Sequence, residues 1–592
     1  MQDVNKLFAR AEQAFVAGRL EEARRDLIEV GRAAGDHPAI FHLLALTEKK
    51  RGDTAAARRA FERAAALAPD DPRIAGNFAN LLGELGAHDQ ALALYGRALA
   101  ADPGFRDARY NRALLLQKLG RLAEALADFE AIGAAGAADA KVDSARGGVL
   151  VQLKRFDEAG EAYDAALRAD PLRLTALHGR ARVAMERGEQ GASEFYGRAL
   201  ERKPGDLDLL LGLAESLEAE GEARGLELLS DAVARNPNWV MGHEVLARMR
   251  SEAGEGAAFA DHYRRSIEQR PDDRALHHSY WQSLARAERH GEALAALRDT
   301  RGRLAEDPAM LAMEAVLASE SGDPAAALAL IDRLDDGSRV DLLFARGRVA
   351  LRAGDAGAAE TAFARLVALN PSVVGGWAHL DLAWRLTGDD RHHWLTGQPG
   401  LYGASDLGLD AAEIARLADL LRGLHRARAH PIGQSLRGGT QTRGRLFSRS
   451  EPEIRRLREA ITAAVADRFR GLPPRDDTHP LLKHRDAPVG IEGSWSVRLA
   501  AQGFHVNHIH PEGIMSSACY VALPPSLGSE ATRDGWLELG RPPVELGLDL
   551  EPLASIEPRP GRLALFPSYL YHGTRPFRDG ERLTIAFDVV PA

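Results

Sequence analysis

Over the first two-thirds of the chain, apolar residues return at helical spacing, with alanine prominent on the apolar faces. In "HDQALALYGRALAAD" (residues 88–102), Ala91, Tyr95 and Ala98 stand at i, i+4 and i+7, one face of an α-helix. The breaks between such segments are periodic. Gly18, Gly52, Gly86 and Gly120 lie 34 residues apart, and Lys154 holds the next slot. Gly188 follows at the same interval, then Gly221 and Gly254 at 33, with looser echoes at Gly291, Gly322 and Gly354. Prolines run in phase with them, at Pro69, Pro103, Pro171, Pro204, Pro237, Pro271, Pro308 and Pro371. Glycine ends a helix because it tolerates positive φ, and proline stops one because it cannot extend the hydrogen-bond ladder. The pattern predicts a helical hairpin per period, each burying its apolar face against its neighbours.

The period and the pattern "A…Y/F…AL…P" resemble the tetratricopeptide repeat (TPR) family across about residues 5–385, in roughly eleven units. Two units are degenerate, one near residues 131–140 and one near Gly337. The resemblance implies an all-α superhelical solenoid over residues 1–385. It also implies a concave groove that receives a peptide or partner protein, with a scaffold or oligomerisation arm as the plainer use.

Composition narrows the class. With 592 residues the chain exceeds one hydrophobic core, and 45% hydrophobic with 27% charged residues is ordinary for a globular protein. A net charge of −9 with both signs interleaved argues against a nucleic-acid partner. No apolar run approaches the roughly 20 residues of a membrane span, and the start lacks a basic-then-apolar leader, so a cytoplasmic protein is expected. Cys519 is the single cysteine, excluding an internal disulfide; within the alternating Ser517–Val521 it reads as a small core residue.

Periodicity fades after Trp384. Residues 386–409 are rich in turn formers and read as a linker, in which the adjacent His392 and His393 are expected to be solvated. Helices are predicted over about 410–428 and 452–469. Between them, "QSLRGGTQT" fits either a pocket entrance or a β-hairpin.

From Gly493 the texture becomes short alternating runs, "SWSVRLA", "SSACYVAL", "RLALFP" and "RLTIAFDVV", separated by Pro and Gly. Many short strands predict an all-β double-stranded β-helix (jelly roll) with flanking helices, in a domain spanning 410–592 whose core occupies about 493–590. His508 and His510, two apart on an extended segment, leave one face and can grip one ion. Imidazoles suit iron, copper, nickel or zinc. His572 follows the strand opened by Gly561, and Arg582 begins the last strand. His505 has the opposite parity and reads as structural or supporting. Trp495 is expected in the core, Arg498 at the surface, and Asp588 facing solvent or capping.

The elements "HIHP", Ser517, Tyr520-Val521, Gly561, "LFPS", His572, Arg582 and "IAF" together resemble the 2-oxoglutarate/Fe(II)-dependent oxygenase superfamily. The likeness is to its prolyl-hydroxylase-like branch, and especially to members fused to TPR arrays. Spacing in "HIHPE" also echoes cupins, but Arg582 favours the oxygenase, since cupins need no cosubstrate anchor there. The resemblance implies Fe(II) held by His508, His510 and His572, with no catalytic residue beyond that metal site. It further implies 2-oxoglutarate anchored by Arg582 and hydrogen-bonded by Tyr520, and dioxygen as the oxidant. One position departs from the superfamily's two histidines and one carboxylate: His510 occupies the carboxylate slot, with Glu512 as a candidate replacement. The expected function is a dioxygenase hydroxylating a protein or peptide side chain recruited by the TPR groove. The alternatives are a TPR adaptor with an impaired roll, or a small-metabolite hydroxylase.

Overall fold

The computed structural model describes residues 2–134, 136, 139–443 and 445–591. Positions 135, 137 and 138, within one of the two degenerate repeats, lie outside the described residues. The chain resolves into two compact units, Met1–Val183 with Glu194–Lys203, and Ala184–Ser193 with Pro204–Ala592.

The first unit is helical throughout. Its helices come in successive pairs, such as Pro72–Glu84 with His88–Ala101 and Ala140–Gln152 with Phe156–Ala169. Ala91, Tyr95 and Ala98 are buried, as their spacing predicts. The periodic glycines are the left-handed residues that turn each pair: Gly18, Gly52, Gly86 and Gly120 have φ of 75°, 85°, 80° and 74°. Lys154 adopts the same conformation in its slot, at φ 58°.

The second unit joins the later repeats to a β-domain. Here Gly291 is not a turn residue: it lies inside the helix His290–Arg298, and the left-handed position is Glu288, at φ 60°. That position is 34 residues after Gly254, so the period survives where glycine does not. The expected linker is structured. It contains a short helix, Arg391–Thr396, and strand β1 (Gly403–Asp406), which forms one edge of the sheet. The two flanking helices run Ala411–Leu424 and Pro452–Arg470, the first opened by a capping box between Asp410 and Glu413. "QSLRGGTQT" supplies β2 (Leu436–Gln441), a strand paired to β3 rather than a hairpin of its own.

The remaining strands are β3 (Val489–His508), β4 (Met515–Ala522), β5 (Leu537–Leu539), β6 (Ala554–Ile556), β7 (Arg562–Pro567), β8 (His572–Thr574) and β9 (Arg582–Pro591). All pairings are antiparallel, in the order β1-β7-β4-β9-β3-β8-β5-β6, with β2 also on β3. The first half of β3 pairs with β9 and its last residues pair with β8, so one strand passes between the two faces of a jelly roll.

Repeats and roll share one core. Phe363, Leu380 and Trp384 from the last helical pairs pack in the same cluster as Leu457, Cys519, Leu563, Tyr571 and Phe587. Arg443, just after β2, pairs with Glu218 and Glu252 of the repeats. Within this core, His379 donates from Nδ1 to the Gly375 carbonyl (2.7 Å), and its Nε2 accepts from Tyr571 Oη (3.1 Å). Arg348, ion-paired with Glu320, lies 3.2 Å from the same Nε2. Cys519 is buried, which pushes its thiol up to about 12 and fits a core residue better than a nucleophile.

Two outcomes are expected. Gly120→Ala places a methyl group in open space at φ 74°, so its cost is conformational, about 1 kcal/mol, read as a lower urea midpoint. Burial, then the Arg348 charge, hold His379 at about 3, below its unfolded value of about 6.5. The unfolded chain therefore binds the extra proton between these values, and stability falls as pH drops below about 6.5. The slope from this residue is about 1.4 kcal/mol per pH unit, and His379→Gln removes it in pH-dependent urea titrations.

Candidate metal centre

Strand register assembles the centre. His508 ends β3 directly opposite His572, the first residue of β8, and His510 follows in the turn that enters β4. One ligand atom from each of His508, His510 and His572 lies within 4.8 Å of the others, and among the described residues this is the one such group of His, Cys, Asp or Glu. Their other nitrogens are all engaged. His508 Nδ1 lies 2.9 Å from the Val506 carbonyl, His572 Nδ1 3.1 Å from the Leu570 carbonyl, and His510 Nδ1 2.6 Å from Asp588 Oδ1. Carbonyl and carboxylate oxygens only accept, so each Nδ1 carries a proton, and in the neutral ring Nε2 presents the lone pair. The Nε2 atoms of His508 and His510 are 3.2 Å apart. Burial pushes His508 down to about 3 and His572 well below the usual imidazole range, so the Nε2 lone pairs of these two stay free of protons. Converging neutral imidazoles suit a transition-metal cation.

His505 also reaches this face, contrary to its parity. The β3–β8 register slips by one between His505 and His508, so their partners Thr574 and His572 are two apart and both histidines point the same way. Ser435 Oγ lies 3.0 Å from His505 Nδ1 and 3.1 Å from His508 Nε2.

Arg582 opens β9, and its guanidinium carbon sits 5.2 Å from the centroid of the Tyr520 ring on neighbouring β4. Both side chains are buried, 2% and 0% exposed. Among the described residues no carboxylate pairs with Arg582, and neither its Nε nor Tyr520 Oη meets a partner outside this pair. Burial lowers the arginine's pKa and raises the tyrosine's. A buried guanidinium with no carboxylate beside it is costly unless an anion completes it, and a carboxylate matches its fork.

His508, His510, His572 and Arg582 line one cavity of about 590 Å³. Three expectations change here. Asp588 faces neither solvent nor a helix end: its side chain is 13% exposed and bonded to His510. Glu512 is exposed at the rim and outside the metal-ligating group. Trp495 is half-buried and lines the cavity, its ring 5.7 Å from that of His510. Arg498 instead pairs with Glu581, away from the cavity. Asp588 was readable from alternation, because Arg582, Thr584, Ala586 and Asp588 share one face of β9 and all line the cavity. Glu288 and Arg348, which come from the repeats, left no such signal.

Residues 493–588 match the family described as "Putative 2OG-Fe(II) oxygenase". The tetratricopeptide repeat model matches residues 42–104, 77–140, 110–173, 144–206 and 313–374. The chain thus carries TPR repeats followed by a C-terminal domain of that oxygenase family. Protein FlbA of Caulobacter vibrioides is 31% identical over 167 residues, which is 28% of this chain and 28% of that protein's length. A tetratricopeptide repeat protein from Parabacteroides merdae is 20% identical, covering 40% of this chain and 93% of its own, with a TM-score of 0.33. The Pseudomonas aeruginosa pilF structure is 16% identical over 36% of this chain and 98% of its own, with a TM-score of 0.34.

The donor set and the orphaned Arg582–Tyr520 pair fit the iron and the dicarboxylate cosubstrate that this family implies. Anaerobic titration with Co(II), followed by its visible absorption, is expected to show one site per chain. His508→Ala or His572→Ala weakens binding at least 100-fold, whereas His392→Ala leaves it unchanged.

Proposed function

We propose that the C-terminal domain is a 2-oxoglutarate- and Fe(II)-dependent dioxygenase that hydroxylates a side chain of a protein or peptide. In this reading His508, His510 and His572 hold Fe(II), and Arg582 holds the far carboxylate of 2-oxoglutarate with Tyr520 beside it. The observation that carries it is three Nε2 lone pairs converging in the same cavity as a buried arginine without a counter-anion. When bound, iron and cosubstrate supply dioxygen activation, coupling oxidative decarboxylation to succinate and CO2 with hydroxylation of a C–H bond.

The chain's own residues do the rest. Arg582 neutralises and orients the cosubstrate's distal end, and its burial strengthens that attraction by excluding water. Tyr520 Oη donates to the same carboxylate. The Nδ1 contacts of the three histidines fix their tautomers and ring planes before any metal arrives. Glu288 and Arg348 of the late repeats line the same cavity, which supports a substrate presented by the repeats rather than a free metabolite. The shared core also means that removing residues 1–385 would strip the roll of packing partners, so that truncation does not separate the two substrate classes. A lone buried cysteine suits a reducing compartment, and we read the protein as cytoplasmic.

The test is anaerobic addition of Fe(II) and 2-oxoglutarate, followed by succinate formation in air. A visible charge-transfer band and basal succinate release are expected. Arg582→Ala should raise the KM for 2-oxoglutarate about 100-fold, since removing one member of a buried charged pair costs several kcal/mol. Iron binding without any 2-oxoglutarate dependence would leave a TPR adaptor with a disabled roll as the better reading.

A further inference from the structure

His510 stands where a carboxylate ligand would bring negative charge to the metal, and it alone of the three histidines has a carboxylate behind it. His508 and His572 donate from Nδ1 to neutral backbone carbonyls. His510 Nδ1 donates to Asp588 Oδ1 at 2.6 Å, the short distance of a charge-assisted bond. The Asp588 carboxylate meets His510 and Ser516, and among the described residues no arginine or lysine neutralises it.

The surroundings hold this aspartate in place. Ser516, opposite it on β4, donates from Oγ to the same Oδ1 at 2.9 Å, and Ser516 Oγ also lies 2.9 Å from Ser568 Oγ. The turn carrying His510 is closed over it. Ile514 N donates to the Val589 carbonyl at 2.8 Å, and a Cβ at Gly513 would fall 3.0 Å from Asp588 Cβ and 2.8 Å from Ser568 Oγ. Only glycine allows the turn to approach this closely.

We propose that Asp588 is a positioning residue that supplies, through His510, the negative charge missing from the three-imidazole ligand set. The carboxylate draws on the Nδ1 proton and raises electron density at Nε2, making His510 a stronger donor than His508 or His572. The chain thereby moves the anionic group from the metal's first ring of contacts to the one behind it. This inference rests on the iron-binding reading above.

The test compares Fe(II) dissociation constants, measured anaerobically, for Asp588→Asn in two backgrounds. In the otherwise native protein, Asp588→Asn keeps shape and an acceptor but loses the charge, and is expected to weaken Fe(II) binding about 10- to 100-fold. The metal-free melting temperature should stay within a few degrees of the parent. In a His510→Asp background a carboxylate binds the metal directly, so adding Asp588→Asn should cost nothing further. An equal loss in both backgrounds would mean that Asp588 only supports the fold, and the proposal falls. It falls too if Asp588→Asn binds Fe(II) like the parent. Should Asp588→Asn not fold, Asp588→Ser, also uncharged, is read by the same comparison. A parent protein that binds no Fe(II) would overturn the iron reading and this inference together, an outcome distinct from either of the others.

Discussion

Strand β3 changes partner along its length, and the site exists because it does. Its first half is hydrogen-bonded to β9, which brings Leu499 level with Arg582. Its end is bonded to β8, which brings His508 level with His572. Between these stretches the strand must bend, and Gln502 at φ 64° with Gly503 against the Ala500 carbonyl makes the corner. Backbone hydrogen bonds are hard to leave unpaired in a core, so the register of both ladders is firmly held. The face that carries the histidine cluster and the arginine are thereby fixed to one another through main chain rather than through flexible side chains.

Polar pairing on a hydrophobic floor ties the repeats to this frame. Tyr571, directly before His572, is buried against His379 of the last full helical pairs, with Arg348 and Glu320 completing the cluster. Each large apolar side chain buried in the common core contributes about 1.5–3 kcal/mol, so the last repeats are part of the roll's support and not a detachable arm. Arg385 reinforces the joint by donating to the carbonyls of Gly540 and Glu551. A ligand in the late repeats and a ligand at the histidine cluster would therefore act on one packed body.

Much of this is legible in the chain. Glycine at positive φ is a local steric requirement, so the 34-residue spacing of glycines marks the turns on its own. The three histidines and Arg582 stand out in the chain because their order resembles a known family, and the strands on either side are marked by alternation. Where local rules fail, a long-range cause can be named. Parity misplaces His505 because a register slip against β8 restores its facing. Alternation along β9 puts Asp588 with Arg582, but nothing local shows that the turn after His508 closes over it. Gly291 misleads because Glu288 accepts the strained conformation that glycine usually relieves.

The sequence by itself determined the periodic helices and the strands, since these follow from steric preference and short-range alternation, and its likeness to a known family singled out the candidate histidines. The tertiary structure alone decided which carboxylate stands behind His510, that no carboxylate among the described residues pairs with Arg582, and that Glu288 and Arg348 share the cavity. These involve residues tens to hundreds of positions apart, which only the packing of β9, the turn after β3 and the late repeats brings around one cavity.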